Sequence, residues 1–502
     1  LGKIFTHNAG SVSILLRRTL QFKYPTAYKF IVSASVSIIN LNKNMFNFGT
    51  GLITIVFISF YLAGLAVIGY KVFNEKNHED YIIGSRNVGY ISTAGSIGAG
   101  FRDGVGLIFW IGTGFTIGYG GLWLICGMMT SIFLLSIIGP RFRETAKKEN
   151  YINISDMLSA HLGRITELTV SVIILVFSSV YVAIQIFVIS NLLQEIFSIS
   201  FYFSACTTFL VVAIYMVSGG YSSVVKTDVI QLVLVFMLIF VPFFIRPSVS
   251  NILDLNSLFS LNLLDSIGLF GIGFLSITSG AEVWQRIISA KNNHVIRVSF
   301  PISAIILLIM TLSLIFIGFG AQQILESEIA SDQVLFMLFK EQGIPSLILA
   351  YIAVAIIAAS MSTLDTFAYV FCSTFIKNLL TQKNTFSQEK YVKTSRVVVV
   401  IFLAIMTIFS ASITDIIRLL FDASSFLFIM TPVFLLGIAG FIEKSNYLDK
   451  YIALSMWISS ALYVFLFING YFTNLLINLI PAMLCFVLCL LFILHYRKIR
   501  HT

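Results

Sequence analysis

The chain has 502 residues, of which 58% are hydrophobic and 11% charged, and its formal net charge is +9. A soluble core of that size would need far more polar covering, so the composition excludes a soluble globular protein and reads as an integral membrane protein. Cys126, Cys206, Cys372, Cys485 and Cys489 all lie in apolar runs and the six histidines show no ligand spacing, which argues against disulfides and metal clusters.

The first 44 residues carry six Lys+Arg, and their one apolar run, Phe30 to Ile39, is too short to cross a bilayer. Met45 directly precedes the first good span. Residues 1–44 are therefore read as an upstream extension, non-native or disordered, with a cleaved or disordered tail as the alternative. Apolar runs of spanning length follow at about 48–71, 89–117, 118–139, 165–195, 200–219, 227–245, 263–285, 298–322, 344–376, 397–413, 415–440, 451–469 and 472–495, which makes 13 spans. An odd number puts the two ends on opposite sides. With the N-terminus outside, the cytoplasmic segments hold 22 Lys+Arg, whereas the outside loops after the first span hold only Arg246 and Lys340. Basic residues mark the cytoplasmic face, so the C-terminus is expected inside. The same placement assigns the positive charge to membrane orientation rather than to nucleic acid.

Two of these spans carry interruptions, in matching places. The first reads Gly95-Ser-Ile-Gly98-Ala-Gly100-Phe-Arg102-Asp103-Gly104-Val-Gly106, and the second runs from Gly268 through Gly271, Gly273, Ser276, Thr278 and Ser279 to Gly280. Backbone that leaves the helix at membrane depth is tolerated only inside protein or beside a water-filled cavity. One such break per half points to a transporter with inverted repeats and a site near the midplane. The expected organisation is a peripheral span at 45–75, a first core repeat at 81–245, a second at 263–440, and two further spans at 451–495. Five spans per repeat force the second set to insert upside down relative to the first.

Five motifs, in order over residues 80 to 440, resemble the sodium/solute symporter family, which includes sodium/proline and sodium/galactose symporters. They are Tyr81-Ile-Ile-Gly84-Ser-Arg86, Gly112-Thr-Gly114-Phe-Thr-Ile-Gly118, the run from Gly219-Gly220 to Thr227-Asp228-Val-Ile-Gln231, Trp284-Gln285-Arg286-Ile-Ile-Ser-Ala290-Lys291, and Ala358-Ala359-Ser360-Met361-Ser362-Thr363-Leu364-Asp365-Thr366. The resemblance implies an all-α membrane protein of the leucine-transporter type with a 5+5 inverted repeat, working by alternating access. It also implies sodium as coupling ion, with no bound cofactor.

Ala359, Ser362 and Thr363 are spaced i, i+3 and i+4, hence on one helical face. Two hydroxyls and a carbonyl beside the carbonyls freed by the first break make a cage of neutral oxygens suited to a hard monovalent cation. In the family this is the sodium site, with carbonyls from the positions matching Ala99 and Arg102. The alternative is that Ser362 and Thr363 only bond their own helix or a neighbour. Asp228, Asp365 and Thr366 are intramembrane polar residues, which are usually functional, and are read as a second cation or proton path. Asp228 or Thr227 could equally cap the sixth span. Asp365 departs from the small neutral residue usual at that place. Gly219-Gly220 is read as a helix end, Trp284-Gln285-Arg286 as a boundary anchor, and Asp415, Arg418 and Asp422 as mutual ion partners.

Arg102 is the departure with most consequence, since the family carries a neutral side chain there. A guanidinium at membrane depth costs about 2.5–3.5 kcal/mol even on lenient scales, so Asp103, Asp365, Glu282 or a substrate anion is expected to pair with it. In one reading it grips a substrate carboxylate; in the other it replaces the cation and makes the protein sodium-independent. The first is favoured because Ser362 and Thr363 are both present. Arg102, Asp103, Gly106, Ser276, Thr278 and Ser279 are the expected substrate contacts, with Phe101, Phe109 and Phe274 as apolar walls. The expected function is sodium-coupled symport of a small carboxylated solute, such as an amino acid or monocarboxylate, by a multi-pass protein of the cell membrane. It would work as a monomer or weak oligomer with the lipid bilayer, sodium and solute as partners and without nucleic acid. A membrane sensor of the same fold is the main rival. A channel fits two broken helices less well, and no nucleophile–base pair, metal cluster or phosphate loop supports an enzyme.

Overall fold

The computed structural model describes residues 51–61, 63–64, 86–151, 153–218, 221–245, 247–325, 329–338, 344–380, 388–442, 444–471 and 475–501. The upstream extension, Met45, Tyr81 to Ser85 and Gly219-Gly220 lie outside the described residues. Regular structure among these residues is helical, apart from one isolated parallel bridge between Val88 and Ala290.

A short apolar helix α1 spans Gly51–Tyr61. The first half then comprises α2 (Tyr90–Gly100) and α3 (Gly104–Thr116) on either side of a break, α4 (Leu122–Lys148), a short α5 (Ile154–His161), α6 (Arg164–Phe197), α7 (Phe201–Ser218) and α8 (Tyr221–Phe236). The second half comprises α9 (Leu263–Ser279) and α10 (Ala281–Ser289) about another break, α11 (Asn293–Ala321), α12 (Ser346–Thr374), α13 (Gln388–Ser410), and the bent pair α14 (Ile416–Phe428) and α15 (Thr431–Ile438). Two further helices, α16 (Asn446–Ile468) and α17 (Ile480–His501), complete the described elements. Among the described residues eight helices are long and apolar enough to cross a membrane, or up to ten if each bent pair counts as one span.

The first break falls inside the expected stretch but is confined to residues 101–103, with Gly95 and Gly98 still helical. Helix α2 stops at Gly100, and α3 restarts at Gly104 because the Asp103 side chain accepts from the Gly106 N–H at 2.9 Å. That carboxylate cap satisfies one of the donors a helix start leaves open. The second break is narrower than expected. Helix α9 runs uninterrupted through Gly268, Gly271, Gly273, Ser276, Thr278 and Ser279, and the chain leaves the helix only at Gly280, where α9 and α10 bend by 45°.

The glycines of α9 serve packing instead of unwinding. A Cβ on Gly273 would lie 2.0 Å from the Leu124 carbonyl oxygen, and one on Gly127 of α4 would lie 2.0 Å from the Phe270 carbonyl oxygen. Helices α4 and α9 thus touch backbone to backbone through reciprocal glycines, as small residues permit between membrane helices. The crossing of α3 with α11 is built the same way, from Gly114 against Ile315 and Gly318 against Ile111. Helix α6 also packs against α7 and α12, and α12 against α13.

The expected span at 415–440 is likewise not one helix: α14 and α15 meet at 40°. Pro432 stands at the start of α15, where its missing N–H is harmless, whereas in a continuous helix it would remove a backbone bond.

Candidate functional site

The broken helices meet at a central cavity of about 100 Å³. Its wall takes Phe101, Arg102, Asp103 and Gly106 from the first break and Ser276 and Glu282 from either side of the second. Aromatic rings from α3, α6, α12 and α14 close the rest, among them Trp110, Tyr181, Phe367 and Phe421. Phe421 also lines a second, wider cavity of about 370 Å³, together with Asp332, Asp415, Arg418 and Asp422. Phe421 is thus shared by the two walls.

Arg102 is wholly buried, but none of the expected acids pairs with it. Its guanidinium turns toward α11, donating to the Leu307 carbonyl at 2.6 Å and to the Thr311 hydroxyl, and also to the Phe101 carbonyl at 2.8 Å. The charged carbon lies 5.6 Å from the centre of the Trp110 ring, within cation–π range. Carbonyl dipoles, a hydroxyl and an indole face thus replace the expected carboxylate. Asp103 is occupied separately: Gln185 donates to its second oxygen at 2.6 Å while Gly106 N–H holds the first. Gly106 must lack a side chain, because a Cβ there would lie 2.5 Å from the Asp103 oxygen.

Beside the cavity, α12 packs against both α2 and α3 and carries Ala359, Ser362, Thr363, Asp365 and Thr366, all buried. The Thr363 hydroxyl has no hydrogen-bond partner. The Ser362 hydroxyl donates to Asp228 at 2.5 Å, which leaves its lone pairs open. At the end of α2 the Ala99 carbonyl accepts the Arg102 N–H at 3.0 Å and keeps a second lone pair. A buried hydroxyl without a partner, on a helix packed against both sides of the break, is a candidate oxygen ligand for a small cation.

Asp228 is the centre of the adjoining cluster. Ser96 and Ser362 each donate to it at 2.5 Å, and Arg286 stands 3.8 Å away. Arg286 donates to Ser96 at 2.7 Å, to the Glu282 carbonyl at 3.0 Å and to Thr366 at 3.5 Å. Asp228 lies two turns inside α8, so it is no N-cap, and Thr227 bonds the Val224 carbonyl of its own helix at 2.8 Å. Arg286 and Trp284 are not a boundary anchor either. Both are buried, with the Trp284 N–H donating to the Thr278 carbonyl and its ring edge-on to Phe142 and Phe434. Asp365 is fully buried and neither of its oxygens has a hydrogen-bond partner.

The hydroxyls of α9 are placed differently from the expectation. Ser276 reaches the cavity wall but donates to Ile272 and Gly273 carbonyls, while Thr278 and Ser279 are buried and donate to Phe274 and Leu275 carbonyls. An unbroken helix offers those carbonyls one turn back, and the hydroxyls take them. Asp415 caps α14 by accepting from the Arg418 N–H at 2.9 Å, and Arg418 reaches Asp422 at 3.8 Å, so only one of the two anticipated ion pairs forms. Sequence reasoning missed Ser96, Gln185 and the buried role of Arg286. Their polarity within apolar runs was the available signal.

The model of the sodium:solute symporter family matches residues 81–255 and 243–448. The Escherichia coli sodium/proline symporter is 25% identical over 278 residues, 52% of this chain and 55% of that protein, so the match spans about half its length. The Salmonella typhimurium sodium/proline symporter is 24% identical over 369 residues, covering 68% of this chain and 73% of that one. A solved sodium-coupled sialic acid symporter, substrate-bound and outward-open, superposes with a TM-score of 0.74 at 17% identity, covering 87% of this chain and 96% of that chain. The architecture is thus that of the leucine-transporter type, and these relatives are transporters rather than enzymes.

Proposed function

Because the chain belongs to the sodium:solute symporter family, we propose that it is a secondary active transporter that couples movement of one small solute to sodium by alternating access. In this reading sodium sits among the Ala99, Arg102 and Ala359 carbonyls and the Ser362 and Thr363 hydroxyls, and the solute occupies the neighbouring cavity. Asp228, Asp365 and Thr366 lie on a second cation or proton path. The chain crosses the cell membrane 13 times, N-terminus outside and C-terminus inside, with core repeats at 81–245 and 263–440 and peripheral spans at 45–75 and 451–495. An amino acid fits this reading, in keeping with relatives named as sodium/proline symporters.

The observation that carries the proposal is the course of the Arg102 guanidinium. It bonds α11 through Leu307 and Thr311, while the partnerless Thr363 hydroxyl lies on α12. The positive charge is held elsewhere, which favours sodium over Arg102 as the cation. The same course weakens the idea that Arg102 grips a substrate carboxylate, since both terminal nitrogens are engaged by protein.

One sodium moving down 100 mV supplies about 2.3 kcal/mol and a tenfold gradient about 1.4 more, enough for roughly 500-fold accumulation of a neutral solute. The test is uptake into vesicles with and without an imposed sodium gradient, comparing wild type, Ser362→Ala and Arg102→Ala. Gradient-driven uptake in wild type that loses its sodium dependence in Ser362→Ala supports the proposal. Uptake by wild type that ignores the gradient overturns it.

A further inference from the structure

The cavity holds one acid with an oxygen that the protein leaves without a hydrogen bond. Glu282 is 5% exposed, lines the cavity at the first turn of α10, and its Oε2 has no hydrogen-bond partner. Other polar groups of the wall are engaged: Asp103 accepts from Gln185 and Gly106, Ser276 donates to its own helix, and Ser424 donates to the Leu420 carbonyl at 2.7 Å. The nearest basic residue on the same helix, Arg286, donates to the Glu282 backbone carbonyl and turns its other nitrogens toward Ser96 and Thr366. A buried carboxylate whose neighbouring guanidinium makes no direct ion pair with it, and one of whose oxygens has no hydrogen bond, is costly at membrane depth. A ligand that brings a positive charge removes that cost and gains a charge-assisted hydrogen bond.

The surroundings fit the same ligand. Tyr181, Phe177, Phe367 and Phe421 present aromatic rings around the space that Glu282 faces, and aromatic faces attract cations by their quadrupole. Among the cavity's charged side chains, Arg102 directs its two terminal nitrogens to the Phe101 and Leu307 carbonyls and the Thr311 hydroxyl rather than to Glu282.

We propose that Glu282 anchors a cationic N–H of the transported solute, which makes the solute class a small primary or secondary amine rather than a plain carboxylate or a sugar. This deepens the symport reading by naming what its cavity binds.

Three probes built on a five-membered ring separate the chemistries: pyrrolidine, with the ammonium alone; L-proline, with ammonium and carboxylate; and tetrahydrofuran-2-carboxylate, which matches L-proline in size and carries the carboxylate alone. Binding to the purified full chain is read by intrinsic fluorescence, since Trp110 lines the cavity, at equilibrium in saturating sodium. Pyrrolidine and L-proline are expected to bind, tetrahydrofuran-2-carboxylate is not, and Glu282→Gln is expected to weaken the first two by about 10- to 100-fold. Glu282→Asp, which keeps the charge, should retain more of the binding than the amide. The proposal is overturned if tetrahydrofuran-2-carboxylate binds as well as L-proline, if Glu282→Gln binds the amines as wild type does, or if neither amine binds. The wild-type comparison needs no variant, so it decides even if Glu282→Gln fails to fold. No step of this titration depends on coupling. Amine binding without gradient-driven uptake would sink the symport reading alone, and gradient-driven uptake of the carboxylate probe would sink the amine assignment alone.

Discussion

Replacing Thr363 by valine separates a ligand from a bystander. The Thr363 hydroxyl is fully buried and has no hydrogen-bond partner, and an unsatisfied buried polar group costs about 1–3 kcal/mol. Valine keeps the branched shape and removes the oxygen. If the hydroxyl only fills space, Thr363→Val should raise stability by up to that amount and leave sodium dependence alone. If it ligates sodium, the variant should be at least as stable in sodium-free buffer but should need more sodium for half-maximal uptake. Loss of one ligand at about 1–3 kcal/mol corresponds to about 5- to 150-fold. The assay pairs thermal unfolding in sodium-free detergent with sodium titration of uptake in proteoliposomes. At saturating sodium the accumulation limit of roughly 500-fold should survive, because that limit depends on the gradient and not on affinity. An unchanged half-saturating sodium concentration in a stable Thr363→Val protein would refute the cage.

Three further outcomes follow from the geometry. Arg102→Ala should lower thermal stability by about 1–3 kcal/mol, since Leu307 and Thr311 lose their donor, while half-saturating sodium moves less than twofold; a large gain in sodium affinity would place the guanidinium in the cation site after all. Asp365→Ser should raise stability in sodium-free buffer, as it removes a buried carboxylate with no partner, and should lower the cooperativity of cation activation, measured as the Hill slope of uptake; an unaltered slope removes Asp365 from the cation path. Gly273→Ala should destabilise by about 1–3 kcal/mol and weaken solute binding, because its Cβ must move from 2.0 Å to ordinary contact with the Leu124 carbonyl; thermal unfolding equal to wild type would refute the backbone contact.

The large features were readable because they rest on long-range patterning. Apolar runs and glycine-rich interruptions mark the helices and the first break, and the spacing of Ala359, Ser362 and Thr363 marks a face of α12 without reference to any neighbour. What stayed hidden depends on neighbours. Gly268, Gly271 and Gly273 look alike whether they unwind a helix or let α4 approach it, and only the Leu124 and Phe270 carbonyls decide between the two. Ser276, Thr278 and Ser279 could face a ligand or their own carbonyls, and the continuity of α9 settles that. Arg102 was legible as a charge needing company, but its company proved to be a carbonyl and a hydroxyl of α11, more than 200 positions away. Pro432 signalled the bend between α14 and α15, but it also stands where a helix start tolerates proline.

Arg286 joins the two halves of the proposed cycle. It sits on α10, directly after the Gly280 break, and bonds α2 through Ser96, reaches Asp228 on α8, and touches Thr366 on α12. Its helix also carries Glu282, which lines the cavity, in its first turn. In the proposed cycle, a cation leaving the Ser362 and Thr363 hydroxyls by way of Asp228 would loosen the guanidinium that closes this cluster. That would free α10 to pivot at Gly280, the one residue between the two helices of that span, and the same pivot would displace Glu282. Solute and sodium would then be coupled through the position of one short helix, with no need for contact between them, and substitutions at Gly280 should disturb the release of both together.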